Sequence, residues 1–257
     1  MDSQDRAINE AANILKNSKN VVAFTGAGIS VESGIPDFRS VGGLWDRFNP
    51  DLYADYFTFL DEPHYYWKLE RELAKMVGNV KPNPAHLALV DLEKMGKLKA
   101  IITQNIDMLH QAAGSAVPIH ELHGSGAAGR CVKCRKRYTR EEILKKMAEM
   151  EDIEDDSQVP KCDSCNGLVK YDIVLFGEML PQNVLSAAEA ALNECDCMII
   201  IGSSLAVSPA NMLPFIARRN GASIILVNLD STLMETRANV HVAGKAGEVL
   251  PKIIEKL

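Results

Sequence analysis

Two short stretches hold the polar side chains best suited to act together on a small ligand. They are Thr103-Gln104-Asn105-Ile106-Asp107 and His120-Glu121-Leu122-His123-Gly124-Ser125. Each lies at the end of a strand-like apolar run, Ile101-Ile102 for the first and Val117 to Leu122 for the second. In an open α/β sheet, ligands bind just past the carboxyl ends of strands, so Gln104, Asn105, Asp107 and His123 would surround one pocket. The amides can orient a sugar or a carboxamide, and the carboxylate can accept amide hydrogens. The imidazole can serve as a base near neutral pH. A polar loop whose histidine is satisfied by backbone is the plainer alternative.

Four of the six cysteines form two C-x-x-C pairs, Cys131-Val132-Lys133-Cys134 and Cys162-Asp163-Ser164-Cys165. In a reducing compartment such pairs favour tetrahedral zinc over disulfides. Four thiolates fill the zinc shell and leave no position for water, so the metal is expected to be structural. Cys195 and Cys197, beside the apolar run Met198 to Ile201, read as ordinary core or strand-end thiols.

A third chemical signal is Thr25-Gly26-Ala27-Gly28-Ile29-Ser30 directly after the buried-strand pattern Val21 to Phe24. A strand followed by a glycine turn lets backbone approach a pyrophosphate. The G-x-G-x-x-G pattern is incomplete, because its last position holds Val31. The loop Ser33 to Trp45, broken by Gly34, Pro36, Gly42 and Gly43, has the length of a functional lid.

The elements that must hold these groups alternate. Helical patterns span 4–17, 85–95, 182–193 and the segment from Gly244 to Leu257, and another follows Pro209. Strand patterns occur at 21–24, from 100, at 117–122, 197–201, 223–227 and 240–243. This order predicts an α/β fold with a mostly parallel sheet covered on both faces. Residues 51–78 carry an aromatic stripe that reads as one or two packing helices, and His86 reads as a helix-packing histidine. The tract Glu151 to Asp156 is acidic and disordered-looking.

At 257 residues with 47% hydrophobic content, the chain can bury a sizeable core. Its net charge of -6 argues against nucleic-acid binding and suits a basic partner such as a lysine-containing peptide. The opening Met1-Asp2-Ser3-Gln4-Asp5 lacks signal-peptide character, and no apolar run approaches a membrane span, so a cytoplasmic location is expected.

Taken together, the motifs resemble the sirtuins, NAD-dependent protein-lysine deacylases, of prokaryotic type. The resemblance covers about residues 20–257 and rests on blocks in order. These are Gly26 to Ser30, Gly34 to Arg39, Thr103 to Asp107, His123-Gly124, both cysteine pairs, Phe176-Gly177-Glu178, Gly202 to Leu205 and Gly247-Glu248. It implies a Rossmann-like parallel-sheet domain formed by 1–40, 80–125 and 173–257. A smaller lobe would comprise a helical part, 41–79, and a zinc-binding module, 126–172. NAD and an acyl-lysine peptide would enter the cleft between the lobes from opposite sides.

The resemblance also implies roles. Gly26, Ala27, Gly28 and Ser30 would line the pyrophosphate site, with Asp37, Phe38 and Arg39 on the cofactor loop. Ala27, Ile35, Asn105, Ile106 and Asp107 would form the nicotinamide pocket, while Gln104 and Asn105 hold the ribose and a water. Gly202, Ser203, Ser204, Asn228, Asp230 and Ala246 would hold the adenosine half. Val174, Phe176, Gly177 and Glu178 would pair with the substrate as an added strand. His123 would be the general base, with Asn105 beside it in catalysis, and Cys131, Cys134, Cys162 and Cys165 would bind one zinc ion.

Three departures stand out. Gly126-Ala127-Ala128-Gly129 occupies a segment usually built of larger side chains, with a looser junction between His123 and the zinc lobe as the expected result. Tyr171 replaces a frequent proline, and Met108 stands where glycine or arginine is common. At the two positions that read negatively charged acyl groups, the chain carries Glu70 and Leu73, which disfavours succinyl. The competing readings are a mono-ADP-ribosyltransferase, a dehydrogenase, and a zinc-ribbon module that only senses NAD. The presence of His123 weighs against the first, the lack of a separate substrate domain with a proton-relay pair against the second, and Asn105, Asp107 and His123 together against the third.

Overall fold

The computed structural model describes residues 3–77, 80–150 and 153–257. Met1, Asp2, Gly78 and Asn79, with Glu151 and Asp152 of the acidic tract, lie outside the described residues.

Among the described residues, nine strands form two sheets. In chain order they are β1 (Val21–Thr25), β2 (Leu98–Thr103), β3 (Ile119–Glu121), β4 (Gly124–Cys131), β5 (Arg137–Thr139), β6 (Val169–Ile173), β7 (Cys197–Ile201), β8 (Ser223–Asn228) and β9 (Val240–Ala243). The large sheet has the order β3-β2-β1-β7-β8-β9, and every pairing in it is parallel. Strand order reverses direction at β1, the switch point where doubly wound sheets open a crevice.

β1 and β7 are buried at every residue, as expected of strands covered on both faces. One face packs on the helices Ser3–Asn17, Pro84–Lys94 and Ala246–Ile254, through residues such as Leu15, Leu89 and Leu250. The other packs on the helices Gln182–Asn193 and Leu213–Arg219, through Leu192, Leu213 and Ala217. Gly96, at φ +74°, follows the end of the helix Pro84–Lys94 in a left-handed conformation open to glycine.

The small lobe is a second hydrophobic unit. The antiparallel sheet β5-β4-β6 shares a core with the helices Tyr56–Asp61 and Pro63–Val77. The aromatic stripe supplies that core, with Phe59, Tyr66 and Trp67 fully buried against Cys131, Tyr138 and Tyr171. Three short helical segments, not one or two, carry the stripe, since Pro50–Tyr53 forms its own turn capped by Asn49.

Two expectations are corrected here. The small-residue run after His123 is not a loose junction but part of β4, packed closely between its neighbours. Gly124 has φ +74°, and a Cβ there would overlap the Asp172 carbonyl oxygen. A Cβ at Gly129 would overlap the Lys170 carbonyl oxygen and press on Ile143. From Ile153 onward the acidic tract is likewise ordered: Ile153 is buried in the small-lobe core. Asp155 caps the turn Asp156–Gln158, and Asp156 accepts from both the backbone and the ring of His64.

Among the described residues, no helix is long and apolar enough to cross a membrane. Because Gly124 combines a left-handed backbone with no room for a side chain, Gly124→Ala is expected to lower the unfolding free energy by about 2–5 kcal/mol. Denaturant titration against the wild type measures this directly.

Candidate active site and metal centre

The carboxyl ends of β1, β2, β7 and β8 open into one cavity of about 780 Å³ that continues between the two lobes. Every residue expected to touch cofactor or peptide lines it, from Gly26 and Ser30 through Ile35 to Arg39, Gln104 to Asp107, His123, Val174, Phe176 to Glu178, Gly202 to Ser204, Asn228, Asp230 and Ala246. Sequence reasoning did not single out Glu32, Ser231 and Lys245, nor Tyr66 and Arg140 of the small lobe, which line it as well.

The glycines at the sheet end have a reason that differs from the sequence reading. A Cβ on Gly26 or Gly28 would come within 2.8 or 2.7 Å of the Gly202 backbone. Gly28 N–H donates to the Gly202 carbonyl at 2.8 Å, and Gly202 itself has φ +58°. These glycines therefore let the turns after β1 and β7 touch. The close contact leaves the amides of Ala27, Ser203 and Ser204 without partners among the described residues, at the rim of the cavity. Free amides at strand-to-helix turns suit an anionic pyrophosphate.

Asn105 is buried and tied from three directions. Its N–H donates to Thr103 Oγ1 at 3.0 Å, and its Nδ2 to the Gly26 carbonyl at 3.1 Å and Ser30 Oγ at 3.2 Å. Ser30 in turn donates to Asp107 Oδ2 at 2.7 Å, while Leu109 N–H donates to Oδ1 at 2.9 Å. Gln104 Nε2 donates to Ser203 Oγ at 2.8 Å, linking the ends of β2 and β7. Asp37 lines the cavity, yet its carboxylate accepts from Arg39 N–H, Ser40 N–H and Ser40 Oγ. Burial works against its charge, but these bonds hold the carboxyl below its ordinary value. Its part is to shape the loop, where Phe38 packs on Trp45 at 4.9 Å and Trp45 lies 6.4 Å from Phe176.

His123 Nδ1 lies 2.9 Å from the Gln104 carbonyl. A carbonyl can only accept, so Nδ1 carries the hydrogen and Nε2 is the basic nitrogen of the neutral ring. Burial depresses the imidazole below its ordinary value and the nearby Arg39 adds to this, against the Gln104 bond. The ring is thus neutral at neutral pH, with its lone pair on Nε2.

Beneath the site lies a buried pair, His86 and His110, with ring centroids 5.1 Å apart. Asn83 N–H donates to His86 Nδ1 as part of a helix cap, which places the His86 hydrogen on Nε2. Thr25 Oγ1 donates to Thr103 Oγ1 at 2.8 Å, so it accepts from His110 Nε2 at 2.9 Å. Burial pushes both rings down, to about 4 for His86 and about 3 for His110, keeping them neutral. This network reaches Asn105 through Thr103, so it supports the site without titrating.

The turn after β6 is anchored from the small lobe. Lys170 on β6 is buried, and its Nζ donates to Glu178 Oε2 at 2.9 Å and to the Ile173 and Tyr171 carbonyls. Glu178 Oε2 also accepts from Leu175 N–H, while Phe176 exchanges backbone bonds with Ala54 and Tyr56. That leaves the Gly177 amide and carbonyl and the Val174 carbonyl without partners among the described residues.

The sulfur atoms of Cys131, Cys134, Cys162 and Cys165 all lie within 4.8 Å of one another, with pairs at 3.5 and 3.6 Å, and none forms a disulfide. Tetrahedral zinc with bonds near 2.3 Å needs sulfurs roughly 3.8 Å apart, so the donor set and spacing fit zinc. Cys195 and Cys197 are buried, with thiols pushed up to about 11 and about 12, and are inert core groups.

A family model described as the Sir2 family matches residues 26–209. The chain belongs to the Sir2 family. It is 45% identical over 97% of its length to the NAD-dependent protein deacylase 2 of Archaeoglobus fulgidus, 96% of which is covered. Its fold superposes with a TM-score of 0.90 on a structure solved for the mechanism and regulation of Sir2 enzymes, at 44% identity and 98% coverage of both chains. A Sir2 variant bound to a deacetylated p53 peptide and 3′-O-acetyl ADP-ribose matches with a TM-score of 0.89, at 38% identity, covering 97% of this chain and 98% of the other.

Two outcomes are expected of this Sir2 site. Cys162→Ser, or chelation, should remove one zinc ion per chain by metal analysis and loosen the small-lobe core. A red-shifted Trp67 emission in a Trp45→Phe background reports the loosening, since Trp67 is fully buried. His110→Leu should cost about 2 kcal/mol in denaturant unfolding by leaving Thr25 without its donor. His110→Gln, which restores a donor, should recover much of it.

Proposed function

We propose that this chain removes acyl groups from protein lysine side chains, transferring them to the ADP-ribose of NAD and releasing nicotinamide. The observation that carries the reading is the bond from His123 Nδ1 to the Gln104 carbonyl, which leaves a basic Nε2 beside a dinucleotide-sized cavity.

NAD, when bound, supplies the ribose carbon that parts from nicotinamide and takes the acyl oxygen. The partner-free amides of Ala27, Ser203 and Ser204 bind the pyrophosphate, and Asn228, Asp230 and Ala246 hold the adenosine half. Ala27, Ile35, Asn105, Ile106 and Asp107 enclose the nicotinamide. Asp107, oriented by Ser30 and Leu109, accepts from the carboxamide. Gln104 and Asn105 position the ribose and a water, and Phe38 on the Asp37–Arg39 loop excludes bulk water. His123 Nε2 takes the proton of a ribose hydroxyl, so that this oxygen can receive the acyl carbon.

The free Gly177 amide and carbonyl, with the Val174 carbonyl, pair with an extended acyl-lysine peptide, while Phe176 and Glu178 hold the turn that presents them. Zinc staples the small sheet that carries Lys170, the anchor of that turn. Unpaired thiols in a C-x-x-C zinc set support a cytoplasmic location.

Nicotinamide release from NAD with an acetyl-lysine peptide tests the reading. His123→Ala is expected to lower kcat/KM by about 10²–10⁴-fold. Protonated His123 cannot act as base, and its pKa is depressed, so the acid limb of wild-type kcat/KM should fall below the ordinary imidazole value of about 6.5. Nicotinamide release without loss of the acyl group would instead identify an ADP-ribosyltransferase.

A further inference from the structure

Tyr138 lies on β5, just past the first C-x-x-C turn, and its side chain crosses to the second. Its hydroxyl oxygen stands 3.1 Å from Cys162 Sγ and 3.4 Å from Asp163 Oδ2. It also accepts from the Asp163 N–H at 3.2 Å. The residue is 3% exposed, so water does not compete for the hydroxyl hydrogen. That hydrogen has two candidate acceptors, the sulfur and the carboxylate.

Distance and competition decide between them. An O–H···O bond is normally about 2.5–3.0 Å long, so at 3.4 Å the carboxylate is a poor acceptor. Its oxygens are also engaged already: Lys136 Nζ donates to Oδ2 at 3.1 Å, and Lys146 Nζ donates to Oδ1. Cys162 Sγ is nearer, although sulfur is the larger atom. The hydroxyl therefore donates to the sulfur. Zinc is bound by thiolates, and four of them around one Zn²⁺ leave the cluster with net negative charge. A hydrogen bond to such a sulfur is charge-assisted and stronger than one between neutral groups.

The ring is held independently of the hydroxyl. It packs with Ile143 and Val169 in the small-lobe core, and the Lys136 and Lys146 ammonium groups lie 5.3 and 5.6 Å from its centre. The hydroxyl is thus aimed at Cys162 by contacts that do not involve the metal.

We propose that Tyr138 is a positioning residue of the metal centre. Its hydroxyl holds the Cys162 sulfur in its ligating direction and offsets part of the negative charge gathered there, which strengthens zinc retention. Groups that hydrogen-bond to metal ligands set metal affinity without touching the metal. The inference does not depend on the deacylase reading.

Tyr138→Phe removes one oxygen and keeps the ring. With the full chain loaded with zinc, competition against a chromophoric chelator should show the metal held about tenfold more weakly than in the wild type. In the Co²⁺-loaded chain, the sulfur-to-cobalt charge-transfer bands should move to longer wavelength, because a thiolate without its donor gives up charge more readily. Packing alone would not move those bands. The zinc-loaded wild type supplies a check that needs no variant. In its crystal structure the hydroxyl should remain nearer to Cys162 Sγ than to either Asp163 carboxylate oxygen.

Unchanged zinc affinity in Tyr138→Phe would overturn the proposal. So would weaker affinity with unmoved cobalt bands, the result of a packing defect alone. A hydroxyl turned from the sulfur to the Asp163 carboxylate once zinc is bound would overturn it as well. Should the Phe variant fail to fold, that wild-type structure decides.

Discussion

The bond between His123 and the Gln104 carbonyl joins the ends of two neighbouring parallel strands, and the site depends on it. β2 ends at Thr103 and β3 at Glu121, and these two residues are register partners on adjacent strands of the same sheet. Parallel pairing therefore delivers Gln104 and His123 to the same side of the sheet, within reach of each other. A carbonyl acceptor then decides which ring nitrogen is basic, a choice that no property of the imidazole alone would make. The remaining groups are arranged around that pair by equally short links. Gln104 reaches Ser203 in the turn after β7, Asn105 reaches Gly26 just past β1, and Ser30 reaches Asp107.

Such a constellation needs support from below, because polar side chains at strand ends would otherwise be free to turn to water. The support is a buried polar layer in which His110 Nε2 donates to Thr25 Oγ1 and Thr25 to Thr103 Oγ1, while the His86 ring, capped by Asn83 N–H, packs against His110. Burial keeps the two histidines neutral, so the layer stays the same across the pH range in which His123 titrates. A layer of this kind specifies side-chain orientation more than it adds stability.

The small lobe meets the same demand by different means. Among the described residues its sheet has three strands, and it is held by an aromatic core that Cys131 and Cys162 of the zinc-spaced thiol cluster join. What it contributes to the site passes through Lys170. Placing an ammonium group in that core is tolerated because Glu178 and two carbonyls surround it, and the same contacts fix the turn that presents Gly177.

Much of this was legible in residue order. Alternating apolar runs and helical periodicities dictate a parallel α/β sheet, since strands such as Cys197–Ile201 are apolar throughout and must be covered on both faces. The cysteine spacing dictated a metal-suited cluster, because C-x-x-C places two sulfurs on one turn whatever surrounds it. The motif residues could be read because strand ends are local features.

Features that arise between distant segments could not be read. The sequence of Gly124 to Gly129 looked loose, yet backbone carbonyls of β6 crowd it from more than forty positions away. Gly26 and Gly28 answer to Gly202, and Arg140 enters the cavity only because the zinc lobe folds back over Gly126. Tautomers, close backbone contacts and unmet hydrogen bonds are properties of neighbours in space. Residue types and spacing determined which groups were available, and tertiary packing decided which way each one points.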